Sequence, residues 1–168
     1  MHDGRDLDGT KDQSKALTAS LRRVTHTFTA QDPEYATRVR LSFGEQRAMS
    51  TIGASLGTVE AGAVDIVLPF REDLTQQDGF LHAGILATVA DSACGYAAHS
   101  LMPANARVLS IEFKLNLLAP AVGERIEARG RVLRAGRTIT VCRADVLAIT
   151  GKSEKLVATM TGTMMTLS

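Results

Sequence analysis

Apolar and polar positions repeat along this chain in two rhythms, and the change of rhythm marks its elements. Asp32-Pro33-Glu34 opens a helix, with an acid at the cap and proline at the first position. Tyr35, Val39 and Phe43 then recur at every fourth residue, which predicts a short amphipathic helix to about Gln46. A strand is expected over residues 51–59, weakened by Gly53 and Gly57. Glu60-Ala61-Gly62 turns the chain into a second strand, 63–69, where Val64, Ile66 and Leu68 alternate with Ala63, Asp65 and Val67. Residues 70–82 read as a polar loop.

An almost wholly apolar stretch follows, predicting a helix over 83–100 that Pro103 stops. It carries one acid near its middle, Asp91. The period then falls to two. Leu109, Ile111, Phe113, Leu115 and Leu117 alternate with Ser110, Glu112, Lys114 and Asn116, predicting a strand with one buried and one polar face. Residues 120–123 form a turn. Strands are expected over 124–134 and 137–149, joined by a hairpin at Ala135-Gly136, and over 156–165 after a turn at 150–153. With no internal repeat and no linker, the order predicts one α+β domain over residues 31–168. Residues 1–30 are polar, with little periodicity, and are expected to form a mobile N-terminal extension. A helix that is apolar nearly all round must be covered on more than one side, and a second subunit is its natural cover.

Bulk composition narrows the function more by exclusion. In 168 residues, 19 basic side chains nearly balance 18 acidic ones, so nothing calls for a nucleic acid or a membrane surface. Trp is absent and aromatics are few, which removes a stacking platform for single strands. The four histidines are scattered without metal-ligand spacing, so no metal is expected. Cys94 and Cys142 lie in apolar segments, as buried thiols of a reducing compartment do. The N-terminus lacks an apolar signal core, and the apolar helix is too short and too polar to span a bilayer, so a cytoplasmic location is expected.

Candidate chemistry gathers at that helix. An acid there is costly unless it is paired or used. On the residues alone, Asp91 serves equally as a general base and as half of a buried ion pair. His82 stands at the helix mouth, where the backbone N–H groups of Ala83 and Gly84 carry partial positive charge. Asp91 lies eight residues beyond Ala83, roughly 12 Å along one helix. Its side chain cannot reach that N-terminus. The two serve one reacting group only if they come from different subunits.

The element order, together with His82-Ala83-Gly84, Asp91 nine positions later, and a strand from Ser110 running to Pro120, resembles the hotdog-fold acyl-CoA thioesterases of the phenylacetate-pathway (PaaI) type, in the hydroxybenzoyl-CoA thioesterase superfamily. The resemblance covers about residues 50–168. It implies an antiparallel sheet wrapped around a long central helix, and a homodimer, often paired again into a tetramer. It implies an acyl- or aryl-CoA substrate, with no cofactor beyond the coenzyme A that the substrate brings. By position, Asp91 is the base or nucleophile, and Gln76 and Ser110 assist the attacking water. His82 orients the carbonyl or holds the turn, and the Ala83 and Gly84 N–H groups receive the carbonyl oxygen. Gly136-Arg137-Thr138 lies near the coenzyme A phosphates. Ala83 departs from the family, which has glycine there; the N–H survives and the added methyl narrows the approach. Leu86, Val89 and Tyr96, with the 70–81 loop, are expected to line the acyl pocket. A non-catalytic acyl-CoA or fatty-acid binder on the same fold is the alternative. An enoyl-CoA hydratase is a third reading, to which Asp78 and His82 are an imperfect match, standing four apart where hydratases have five.

Overall fold

A computed structural model describes residues 28–167. The elements are helices α1 (Tyr35–Glu45) and α2 (Arg47–Ile52), strands β1 (Ser55–Glu60) and β2 (Ala63–Pro69), the long helix α3 (Ala83–His99), and strands β3 (Arg107–Leu117), β4 (Arg125–Ala135), β5 (Ile139–Thr150) and β6 (Ser153–Leu167). Among the described residues the strands form one antiparallel sheet in the order β1-β2-β4-β5-β6-β3. The sheet wraps α3, the α+β hotdog arrangement that the sequence led us to expect. The expected N-terminal extension lies outside the described residues, apart from 28–30.

Small side chains let the helix sink into the sheet. Ala90, Ala93, Cys94 and Ala97 of α3 are buried against Ala128, Cys142, Ala144 and Ala158. At Gly130 a Cβ would stand 2.3 Å from the Ala93 carbonyl oxygen, so only glycine permits the approach. Larger residues close the rest of the core: Ile66 and Leu68 from β2, Ile126 from β4, Met160 and Met164 from β6.

Two expectations are corrected. The strand predicted over 51–59 begins only at Ser55, because residues 47–52 form α2. Gly53, with φ of 77°, is the left-handed cap that ends that helix rather than a weak point in a strand. The strict alternation expected in β3 also fails, because a bulge interrupts the ladder between Ser110 and Glu112. Ser110 pairs with buried Met164, whereas Glu112 pairs with Thr163. The bulge therefore turns Ser110 to the helix side, the side that Phe113, Leu115 and Leu117 take after it. The expected buried face is not buried either: Leu109 and Ile111, on the face away from Ser110, are 50% and 51% exposed, and Phe113 and Leu117, on the helix side at the sheet edge, are 46% and 56% exposed.

Among the described residues no helix is long and apolar enough to cross a membrane.

Candidate active site

α3 begins at a cap built by His82. Its backbone is extended, with φ −61° and ψ 137°, and its Nδ1 accepts a hydrogen bond from Gly84 N–H at 2.9 Å. Ile85 and Leu86 N–H donate to the His82 carbonyl. Of the two N–H groups expected to receive a carbonyl, the one from Gly84 is thus engaged by His82. Among the described residues no such bond engages Ala83 N–H.

The preceding loop folds into a tight turn, with Gln76 N–H donating to the Phe80 carbonyl and Gly79 in the left-handed region at φ 80°. The Gln76 side-chain carbonyl accepts from Asp78 N–H. Gln76 and Ala83 line one cleft of about 370 Å³, with Phe80, Leu86 and Leu117 on its walls.

Asp91 lies two turns along α3, half-buried. Ser110 Oγ donates to its carboxylate at 2.7 Å and also touches Met164 Sδ at 3.3 Å. The β3 bulge makes this contact possible, and it was not legible in a strict period-two pattern. Among the described residues no Lys or Arg pairs with Asp91. Asp91 and Ser110 open onto a second, larger cavity of about 710 Å³, bounded by α1, α3 and the start of β3.

Within one chain, then, Asp91 and Ser110 meet each other but not Gln76, His82 or Ala83. Asp91 with Ser110, and Gln76 with Ala83, line two different cavities at opposite ends of β3. Arg107 to Ser110 line the larger one, Leu117 and Leu118 the smaller. Of the expected acyl-pocket residues, Tyr96 lines the Asp91 cavity and Leu86 the other cleft, while Val89 is fully buried core. Gly136-Arg137-Thr138 forms the β4–β5 hairpin, closed by Gly136 N–H to the Ile139 carbonyl. The Thr138 carbonyl accepts from Thr166 N–H, which ties the hairpin to the sheet end where β3 starts.

Sequence reasoning missed Arg38 and His99 as cavity residues. Arg38 Nε pairs with Asp32 at 2.8 Å, and its Nη2 donates to the His99 and Met102 carbonyls at the end of α3. His99 is buried, its Nε2 bonded to the Ala106 carbonyl at 3.2 Å. Burial, then the nearby Arg38 charge, hold its imidazole below the ordinary value of 6.5. Both residues line the Asp91 cavity. α1 begins at Tyr35 with Glu34 as its N-cap, which corrects the expected cap at Asp32 with Pro33 at the first position. The signal that could have found Arg38 is its place six residues after Asp32, on the face of α1 next to that of Tyr35 and Val39.

Comparison with known proteins places this geometry. The thioesterase superfamily model matches residues 78–155, which hold His82, Asp91 and Ser110. The crystal structure of a thioesterase family protein from Silicibacter pomeroyi is 52% identical and superposes with a TM-score of 0.78, covering 79% of this chain and 98% of that one. The chain belongs to the thioesterase superfamily. As a member it is a thioester hydrolase. It is also 27% identical over 106 residues to a 1,4-dihydroxy-2-naphthoyl-CoA hydrolase of Listeria monocytogenes, covering 63% of this chain and 84% of the relative. The PaaI protein of the E. coli phenylacetic acid degradation operon shares the fold at 17% identity, with a TM-score of 0.72 over 80% of this chain and 95% of that one.

Proposed function

We propose that this thioester hydrolase acts on an acyl- or aryl-CoA, in a site completed by a second copy of the chain. The carrying observation is Asp91: a carboxylate with no cationic partner among the described residues, oriented by Ser110 Oγ at 2.7 Å and open to a cavity. A pure binder has little use for such a group beside an acyl chain. The Listeria relative named as a CoA hydrolase supports coenzyme A as the thiol.

In this reading Asp91 takes a proton from a water as that water attacks the thioester carbonyl. The oxyanion then collapses, the C–S bond breaks, and the coenzyme A thiolate leaves with the proton that Asp91 took. Where Asp91 attacks the carbonyl itself, the same collapse leaves an acyl-Asp91 anhydride, which water hydrolyses to the free acid. Ala83 N–H, at the positive end of α3, receives the oxyanion. Gly84 N–H joins it only if His82 releases its hold, and His82 otherwise fixes the turn. Gln76, in the cleft that Ala83 also lines, positions the water. Arg137, with Gly136 and Thr138, meets the coenzyme A phosphates, for which guanidinium is well suited. No metal or resident cofactor enters the scheme. The two buried free thiols fit a cytoplasmic setting.

The sharing follows from distance. Asp91 and Ala83 stand on one uninterrupted helix, roughly 12 Å apart along its axis. Antiparallel pairing of the exposed β3 edge with its copy would bring the Asp91 end of one chain to the Ala83 end of the other, twice. Dimers pairing into a tetramer would extend the same logic.

The test is Asp91→Asn, assayed for thiol release across aryl- and straight-chain acyl-CoAs. We expect kcat to fall at least about a hundredfold, the lower end of what a positioned base contributes. Unchanged turnover would remove Asp91 from the chemistry.

A further inference from the structure

The arginines of the sheet fall into two sets. Arg125, Arg129, Arg131 and Arg143, on the face away from α3, each have a carboxylate within 3.0 Å. Arg107 and Arg134 are exposed and, among the described residues, have no carboxylate partner. The same holds for Arg137, in the β4–β5 hairpin. Strand register brings the three to one corner. Leu109, Met165 and Ile139 pair in a row across β3, β6 and β5, on the face opposite buried Met164. Arg107 stands two residues before Leu109, so it shares that face. A nearby row joins Glu112, Thr163, Val141 and Arg134. The bond from Thr166 N–H to the Thr138 carbonyl holds the Arg137 hairpin beside the end of β6 that pairs with Arg107. Glu112, the one carboxylate on these rows, accepts from Thr163 Oγ1.

Charge is not all that this corner offers. Leu109 and Ile139 are 50% and 40% exposed on the same face. Cations beside a small apolar floor fit a nucleotide, whose phosphates take the guanidiniums while its base covers the aliphatic side chains. A protein partner needs more room. From β3 to β4, and from the Arg107 row to the Arg134 row, the corner measures roughly 14 Å by 13 Å. A stable protein interface covers about 800 Å² on each side. The corner also lies within reach of Asp91. The larger cavity is lined by the whole run from Ala104 to Ser110, so it extends to Arg107 at the start of β3. From Ser110 to Arg107 is roughly 10 Å along the strand, and from Arg107 to the level of β5 is two strand spacings, roughly 10 Å more. An extended pantetheine arm runs about 16 Å from its sulfur to the first phosphorus. Starting beside Asp91, it ends past Arg107 and short of the hairpin, so the phosphates fall between Arg107 and Arg137.

We propose that Arg107 and Arg134 join Arg137 in binding the 3′-phosphorylated ADP end of coenzyme A, with the adenine over Leu109 and Ile139, and that this corner makes the hydrolase selective for coenzyme A over phosphopantetheine alone. This rests on the acyl- or aryl-CoA reading above, and it adds two residues and a selectivity to it. The contacts are remote from the reacting carbonyl and do not change as it reacts, so they act on KM and leave kcat alone. Arg107 and Arg134 are exposed and bond to nothing else among the described residues, so replacing either leaves the fold intact.

The experiment takes one acyl group that the full chain hydrolyses and presents it on coenzyme A, on 3′-dephospho-coenzyme A and on phosphopantetheine. It measures kcat and KM for the full chain, Arg107→Gln, Arg134→Gln and Arg47→Gln. Arg47 is an exposed arginine on α2, which leads into β1 at the opposite sheet edge. The full chain is expected to favour coenzyme A over phosphopantetheine by about tenfold or more in kcat/KM, with the dephospho form between them. Arg107→Gln and Arg134→Gln are each expected to lose about threefold or more of that preference through KM, with kcat and the phosphopantetheine thioester unaffected. Arg47→Gln should keep the preference. Equal rates on the three thiols, a preference that either corner variant retains, or an equal loss in Arg47→Gln overturns the proposal. Faster hydrolysis of the same acyl group from an acidic carrier protein than from coenzyme A, lost in the corner variants, would give the corner to a protein and overturn it too. A screen in which no coenzyme A thioester is hydrolysed would instead sink the reading beneath it.

Discussion

Among the described residues the Asp91 carboxylate is held by one side-chain hydrogen bond, from Ser110 Oγ at 2.7 Å, and Asp91 lines the larger cavity. A hydrogen bond to a charged group is worth about 1.5–3 kcal/mol. Ser110→Ala is therefore expected to lower kcat by about ten- to a hundredfold, with a smaller change in KM, because the carboxylate remains and loses its orientation. Steady-state kinetics of purified Ser110→Ala beside Ser110→Thr checks this, and threonine should keep most of the rate. A Ser110→Ala enzyme with wild-type kcat would reduce Ser110 to a bystander. The two residues differ in how far the sequence exposed them. An acid in an apolar helix is conspicuous because its cost is local. Ser110 was placed on the polar row of β3, and only the bulge after it turns it toward Asp91. A bulge leaves no mark on a clean alternation, since it arises from pairing with β6 rather than from the strand's own residues.

At the scale of elements, α3 is fixed at both ends by histidines, in opposite senses. At its start, His82 Nδ1 caps Gly84 N–H. His82→Ala removes that cap and should cost about 1 kcal/mol, whereas His82→Asn should keep most of it. The thermal midpoint reads the difference, about 3 °C for a domain of this size. At its end, buried His99 stays neutral below its ordinary value of 6.5, with the Arg38 and Asp32 charges beside it. The unfolded chain takes up a proton there that the folded chain refuses. Stability thus falls as pH drops below about 6.5, by at most about 1.4 kcal/mol per pH unit. His99→Asn should flatten the urea midpoint between pH 7 and pH 5 relative to the unaltered chain, and an equally steep loss would assign the slope elsewhere. The helix itself was plain in the sequence, because an apolar run closed by Pro103 has few other readings. The short α2 was not. Its six residues are too few to establish a period, and Gly53 reads the same as a strand breaker and as a helix cap until its φ is known.

At the scale of the molecule, the groups expected to act together lie in two cavities at opposite ends of an exposed apolar edge strand. The helix spacing hinted at this division in the sequence, but the exposure of β3 was hidden, since alternation cannot tell an edge strand from a covered one. If the site is shared, its halves can be disabled separately on different chains. Asp91→Asn removes the acid. Ala83→Pro removes only the N–H, because proline is well tolerated at the first helical position and His82 already has the extended backbone that precedes a proline. Each variant alone should lose about a hundredfold or more in kcat. In a mixed dimer both lesions fall in one site, and the other site receives an intact Asp91 and an intact Ala83. Unfolding the two variants together and refolding them as an equal mixture makes about half the dimers mixed, each with one working site of two. Roughly a quarter of wild-type activity should return, although neither parent has it. A chain that carries both substitutions, refolded with the unaltered chain, supplies the control. Its mixed dimers have one lesion in each site and should be nearly inactive. Thiol release per chain after mixing is the measurement. A mixture no more active than its parents would place Asp91 and Ala83 in independent sites and end the shared reading.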